Sequence, residues 1–211
     1  MYNKESIIDI SWPICKGMVE YKDNAVLNIE TVKNFANDGV YQTQFTMSSH
    51  TGTHIDAPYH MLAQGKRSES LEPIIGPCKI LDLSAVKEAI TQDDLQRHEI
   101  TAGDILLLKT RNSFMSATGF FNYDFIYLAD SGAHYLAQHK VRAVGIDYLG
   151  IERKQEGHPT HKALLGAGIS VIEGLRLELA VVEEPYTLVC LPLKMFDLEA
   201  APARALLLKR F

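Results

Sequence analysis

Asp104-Ile-Leu-Leu-Leu-Lys109, Asp130-Ser-Gly-Ala-His-Tyr-Leu-Ala-Gln-His139 and Val141-Arg-Ala-Val-Gly-Ile146 decide the fold class. The first is a continuous aliphatic run of strand length, the second reads as a helix, and the third as the strand that follows it. Downstream the alternation repeats: Pro159 stands at the start of a helix over residues 160–165, Gly166 and Gly168 end it, and 169–172 reads as a strand. Further strands are expected over 6–11 (ended by Pro13), 26–32, 79–83 (after a Gly76-Pro77 break), 186–191 and 205–209. Thr91 with Asp94 forms a capping box for a short helix. No repeat, low-complexity tract or Pro/Gly/Ser-rich linker divides the chain, so residues 1–211 read as a single α/β domain. Periodicity leaves the strand order open.

Composition agrees. A chain of 211 residues, 46% hydrophobic and 22% charged, is large enough for a continuous core and typical of a soluble globular protein. The net charge of −5 comes without a Lys/Arg face; Lys66-Arg67 and Lys209-Arg210 are the densest basic spots, so nucleic acid is not an expected partner. Cys15, Cys78 and Cys190 are far apart and form no CxxC pair, which suggests neither a thiolate zinc site nor a disulfide framework and points to reduced thiols. Met1-Tyr-Asn-Lys-Glu-Ser6 has no apolar signal core, and the longest aliphatic runs, 105–108 and 205–208, are too short to span a bilayer. A cytoplasmic protein without a membrane partner is expected.

The chemistry concentrates in His50-Thr-Gly-Thr-His54-Ile-Asp56-Ala-Pro-Tyr-His60. Residues 41–49 before it alternate clearly, with Tyr41, Thr43, Phe45 and Met47 on one face and Gln42, Gln44, Thr46 and Ser48 on the other. If the chain stays extended beyond Ser49, then His50, His54 and Asp56 continue the polar face. A straight strand nevertheless separates His50 from His54 by about 13 Å at roughly 3.3 Å per residue, whereas two ligands of one ion each approach it to about 2 Å. The chain must bend between them, and Gly52 gives it the freedom to do so. Pro58 excludes a helix through the segment and turns the chain toward His60. Two imidazoles and a carboxylate suit zinc, manganese or iron(II). A lone histidine is usually a surface or hydrogen-bonded residue; the grouping on one strip is what points to a metal.

Ser49-His-Thr-Gly-Thr-His-Ile-Asp-Ala-Pro-Tyr-His60 resembles the signature of the cyclase family, metal-dependent hydrolases that include bacterial kynurenine formamidases and isatin hydrolases. The likeness runs through nearly the whole chain, with Asp9-Ile-Ser-Trp-Pro13, Leu108-Lys-Thr-Arg-Asn-Ser113, Gly145-Ile-Asp-Tyr-Leu-Gly150, His161-Lys-Ala-Leu-Leu165 and Ile172-Glu-Gly-Leu175 in order. It implies a mixed β-sheet with a barrel-like, swivelling β/α core and short helices. By motif position it implies that His50, His54 and Asp56 bind a first divalent ion and that Asp56 bridges to a second held by His161 and Glu173, zinc or manganese in each case. It implies His60 as the proton-transfer residue. His158 competes with His161 but precedes Pro159. The isatin-hydrolysing branch carries an amide side chain at the Glu173 position and one metal, so a carboxylate here implies two. Kynurenine formamidases carry Trp-Pro-Gly-Asp after the first strand; Glu20-Tyr-Lys-Asp23 stands there in this chain, leaving Tyr21 as the expected aromatic wall of a substrate pocket. A homodimer or homotetramer is also implied.

The expected activity is hydrolysis of an amide, formamide or lactam C–N bond in a small aromatic substrate. Three alternatives stay open: kynurenine formamidase proper, a polyketide-type cyclase or lyase in which His60 removes a carbon-bound proton, and a non-catalytic metal-containing binding protein. Arg111, Asn112 and Asp147 read first as scaffold hydrogen-bonders and second as functional groups. His98, His134 and His139 read as solvated or helix-end histidines, and Trp12 and Tyr59 equally as pocket or core.

Overall fold

A computed structural model describes residues 6–24 and 26–209. Residues 1–5 and Arg210, on which the N-terminal and basic-pair readings rest, lie outside the described residues. The strands in chain order are β1 (Ile7–Asp9), β2 (Asn28–Lys33), β3 (Gln42–Thr46), β4 (His54–Asp56), β5 (Ile74–Asp82), β6 (Ala89–Ile90), β7 (Ile105–Lys109), β8 (Tyr127–Leu128), β9 (Ala143–Ile146), β10 (Ser170–Glu173), β11 (Tyr186–Pro192) and β12 (Ala200–Lys209). The helices are short: α1 (Phe35–Asp38), α2 (Gln92–Leu95), α3 (Asp130–Gln138) and α4 (Pro159–Gly166).

Seven strands close into a mixed barrel in the order β12-β11-β5-β7-β9-β10-β4 and back to β12. The aliphatic runs β5, β7, β9 and β10 pair in parallel, because the crossovers between them, two of them carrying α3 and α4, return each strand in the same direction. The other pairings are antiparallel. Closure depends on the ten-residue β12. Residues 200–202 of β12 pair with β4 and residues 206–208 with β1, while 203–209 pair with β11.

Alternation then sorts the core. Ile105, Leu107, Ala143 and Ile172 pack with Ile55, Tyr186, Leu188 and Leu207 inside the barrel. Leu106, Leu108, Val144, Ile146 and Val171 face outward onto Ala133 and Leu136 of α3 and Leu164 and Leu165 of α4. Each such buried aliphatic side chain contributes about 1.5–3 kcal/mol.

Three expectations are corrected. Residues 41–49 do not run on into the His-rich segment: β3 ends at Thr46 and pairs with β2 in a separate hairpin, and Thr51 N–H bonds the Ser48 carbonyl in a turn. Gly76-Pro77 interrupts nothing; it lies inside β5, where residues 74–77 pair only with β11, and pairing to β7 begins at Cys78. Pro77 therefore stands before the two-sided part of the strand, where its missing N–H does no harm. Finally, β12 begins five residues before the aliphatic run at 205–209 that announced it, with Pro202 in register opposite His54.

Candidate metal centre

β4 is three residues long, and its period of two places His54 and Asp56 on one face with Ile55 turned into the barrel. In β10 the same rule puts Ile172 inside and Glu173 outside, and Glu173 stands directly opposite His54 in the antiparallel register. Parallel strands β9 and β10 end here, at the carboxyl edge where α/β sites form. The first turn of α4 packs over that edge; Thr160, His161, Leu164 and Leu165 are its buried face, which turns His161 inward.

His50 arrives by the bend the sequence required. Gly52 sits at φ +65°, and a Cβ there would meet Ile14 Cγ1 at 3.2 Å. Pro58 opens a single 3-10 turn, Pro58–His60, that carries His60 over the same spot, its ring 4.4 Å from that of His50 and 5.6 Å from that of His161.

The donor atoms form two adjoining triangles. His50 Nδ1, His54 Nε2 and Asp56 Oδ1 are separated by 3.1, 3.3 and 3.5 Å. His161 Nε2 lies 3.2 Å from Glu173 Oε1 and 3.6 Å from Asp56 Oδ2. His54 Nε2 to Glu173 Oε2, 3.3 Å, joins the halves. Ligands about 2.0–2.1 Å from a tetrahedral ion stand about 3.3 Å from one another, so these spacings suit a metal.

Asp56 is 1% exposed, and neither carboxylate oxygen accepts a hydrogen bond among the described residues. A buried carboxylate left so is costly unless a cation meets it. The outer ring nitrogens are turned the right way: His54 Nδ1 faces the Gly52 carbonyl at 2.9 Å, His161 Nδ1 faces Glu152 Oε2 at 2.5 Å, and His50 Nε2 faces Glu199 Oε1 at 3.4 Å. Each contact leaves the inner nitrogen's lone pair pointing into the cluster. The residues present therefore fit a divalent ion.

Electrostatics agree. Burial works to lower the His54 and His161 pKa values, but hydrogen bonds donated to neighbouring carboxylates and the charges of Asp56 and Glu173 raise them, to about 8 and about 10. Burial pushes the Glu173 carboxyl up; the His161 and His54 imidazoles more than offset it and hold Glu173 well below the usual range. Asp56 is lowered as well, since the His50 and His54 imidazoles outweigh burial and the Glu173 charge. His60, chiefly through burial, is lowered.

A cavity of about 650 Å³ opens onto the cluster, with His50, His60, His161 and Glu173 at its floor and Tyr21, Phe121 and Phe125 in its wall. Tyr21 meets Phe121 edge-on at 5.1 Å, and burial with the Glu173 and Glu152 charges pushes its hydroxyl pKa up. All seven residues singled out from the sequence, Tyr21, His50, His54, Asp56, His60, His161 and Glu173, thus converge on one place. His158 does not take the His161 position: its side chain is 59% exposed and its Nδ1 is 3.8 Å from Glu152.

Asp147 is a scaffold group. It is buried and accepts from Thr110 N–H and Oγ1, and from Ser113 N–H and Oγ, at 2.6–3.0 Å. Asn112 bridges to Ile126 through both ends of its amide, Arg111 reaches the Asp124 carbonyl, and Trp12 packs edge-on to Tyr148 in the core. Glu152 and Glu199 were missed, because a single glutamate in a loop has no spacing to betray it.

A family model described as "Putative cyclase" matches residues 8–153. The chain is 34% identical over 206 residues to a kynurenine formamidase of Geobacillus thermodenitrificans (strain NG80-2), covering 96% of this chain and 97% of that one. A solved structure from Bacillus stearothermophilus, described as a "predicted metal-dependent hydrolase", is 45% identical with a TM-score of 0.85, over 97% of this chain and 98% of that one. Isatin hydrolase A from Ralstonia solanacearum shares the fold, with a TM-score of 0.79 at 20% identity over 97% and 92% of the two chains. With the family model matching residues 8–153 and relatives matching nearly end to end, the chain belongs to the cyclase family.

Proposed function

We propose that this chain is a metal-dependent hydrolase that cleaves a C–N amide, formamide or lactam bond in a small aromatic substrate. One observation carries the reading: the oxygens of the buried Asp56 carboxylate, unpartnered among the described residues, turn toward different imidazoles, Oδ1 toward His50 and His54 and Oδ2 toward His161. His50, His54 and Asp56 would hold one ion, and His161 and Glu173 with the second Asp56 oxygen another, zinc or manganese. Bound ions supply Lewis acidity and bring the pKa of water down to about 7.

The chain's own residues do the rest. Tyr21, Phe121 and Phe125 hold the substrate ring against the cavity wall. His60, with its pKa held down by burial, is neutral near neutral pH and takes a proton from water as the water oxygen adds to the carbonyl carbon. As the C–N bond breaks, the same imidazole returns that proton to the leaving nitrogen. Kinship to a kynurenine formamidase and to a protein described as a "predicted metal-dependent hydrolase" supports this reading. Kynurenine formamidase proper is the second reading, favoured by the 34% identical relative.

His60→Ala should keep the metal content while lowering turnover about 10²–10⁴-fold. Metal analysis of both forms, with assays on formanilides, N-formylkynurenine and isatin, checks this. Loss of metal in the variant would make His60 a ligand instead, and an inert wild type free of metal would end the hydrolase reading. Labelled water oxygen entering a carboxylate product separates hydrolysis from a cyclase or lyase reaction, and a binding protein gives no product. No helix among the described residues is long and apolar enough to cross a membrane. The reduced-thiol reading of the three cysteines supports a cytoplasmic protein and the family resemblance a homodimer or homotetramer, with light scattering as the check on assembly.

A further inference from the structure

Glu152 is 4% exposed and lies in the loop between β9 and α4. Its Oε2 accepts the His161 backbone N–H at 3.2 Å and stands 2.5 Å from His161 Nδ1, while Oε1 is buried with no hydrogen-bond partner among the described residues. The residue before it, Ile151, donates its backbone N–H to Glu173 Oε1 at 2.6 Å. Two consecutive loop residues thus brace both side chains of one half of the cluster.

The other half is supported differently. The far nitrogen of His54 meets a neutral carbonyl, and that of His50 stands 3.4 Å from Glu199, whose side chain is 39% exposed. An imidazole whose far nitrogen donates to a buried carboxylate is fixed in one tautomer and is the more basic ligand. A carbonyl fixes the tautomer without lending charge, and a water-exposed carboxylate lends little.

We infer that Glu152 is a positioning residue: it holds His161 with Nε2 aimed at the Asp56–Glu173 side and so governs occupancy of that half of the site alone. The inference rests on the two-ion reading above.

Competition titration against a chromophoric zinc chelator, with metal content after dialysis, reads both halves without turnover. The wild type should bind two ions. Glu152→Ala should weaken one of them about 10–100-fold and leave the other unchanged. Glu152→Gln, which keeps the volume and an accepting oxygen but not the charge, should fall between the two. Glu156→Ala, exposed on the same loop, should match the wild type. If Glu152→Ala does not fold, Glu152→Gln carries the comparison. Wild-type affinity for both ions in the Glu152 variants, or equal weakening of both, overturns the inference while the proposed function stands. A wild type that binds no ion sinks both.

Discussion

Asp56 shows how much one side chain can decide. Its neighbours Ile55 and Ala57 are buried apolar residues, and its own oxygens meet imidazole nitrogens at 3.3–3.6 Å, without an aligned hydrogen bond among the described residues. An unmet buried charge costs several kcal/mol, so the arrangement makes sense as half of an ion pair whose other half is a metal. Asp56→Asn keeps the shape and removes both the charge and one accepting oxygen. Metal affinity should fall by more than the roughly 10–100-fold that loss of an outer supporting group costs, because a donor shared by both triangles is gone. Metal content after dialysis measures it, and a variant that retains two ions would contradict the bridging role.

Between elements, the decisive contact is that of the β4 lead-in with the β10 exit. Gly174 has φ +71°, and a Cβ on it would lie 2.3 Å from the Gly52 carbonyl oxygen and 3.0 Å from Thr53 N. Thr53 Oγ1 donates to the Gly174 carbonyl at 2.5 Å, and Gly174 N–H donates to Tyr148 O at 2.7 Å. This crossing fixes the distance from His50 and His54 to Glu173. Gly174→Ala should destabilise the fold by about 2–5 kcal/mol, combining left-handed strain with backbone overlap, and should lower metal affinity in whatever protein folds. Denaturant melts of the metal-free form check the first part; a change under about 1 kcal/mol would mean the loop yields freely. Gly52 and Pro58 were legible because local geometry permits few alternatives to glycine and proline, whereas the Ile172-Glu-Gly-Leu175 run was read through the family resemblance. The first proposed ligand group was legible because His50, His54 and Asp56 share one short stretch. His161 and Glu173 needed the family resemblance, since the helix and strand that carry them meet only through tertiary packing. The polar strip drawn from residues 41–49 into the motif failed for a related reason: alternation reports which faces a strand has, not which sheet it joins. β3 keeps its period of two in a hairpin exposed on both faces.

For the whole molecule, the cluster ties metal occupancy to pH and to melting. The metal-free chain stores protons on His54 and His161, whose pKa values stand at about 8 and about 10 because carboxylates surround them. A raised folded pKa gives stability that is complete below the unfolded value of about 6.5 and is lost as pH climbs through the folded values. Glu173 and Asp56 run the other way: their lowered pKa values give stability present above the ordinary carboxylate range and lost on acidification. The stripped protein should therefore be firmest in mildly acidic solution and weaken toward alkaline pH. A metal needs the same imidazoles neutral and takes the place of their protons, so its affinity rises with pH. The barrel is closed through β4, which carries His54 and Asp56 of the proposed ligand set, so ion binding there would brace the same β12–β4 and β10–β4 seams that complete the ring. At free metal about 1,000-fold above its dissociation constant, binding adds about 4 kcal/mol, equivalent to about 8–16 °C of melting temperature for a chain this size. Calorimetry of loaded and chelator-stripped protein at about pH 6 and about pH 9 should show the gap widening at the higher pH, because fewer stored protons then compete with the metal for these imidazoles. A gap that stays constant or narrows would mean that protons and metal do not compete for these imidazoles, and His54 and His161 would have to be released from the ligand set.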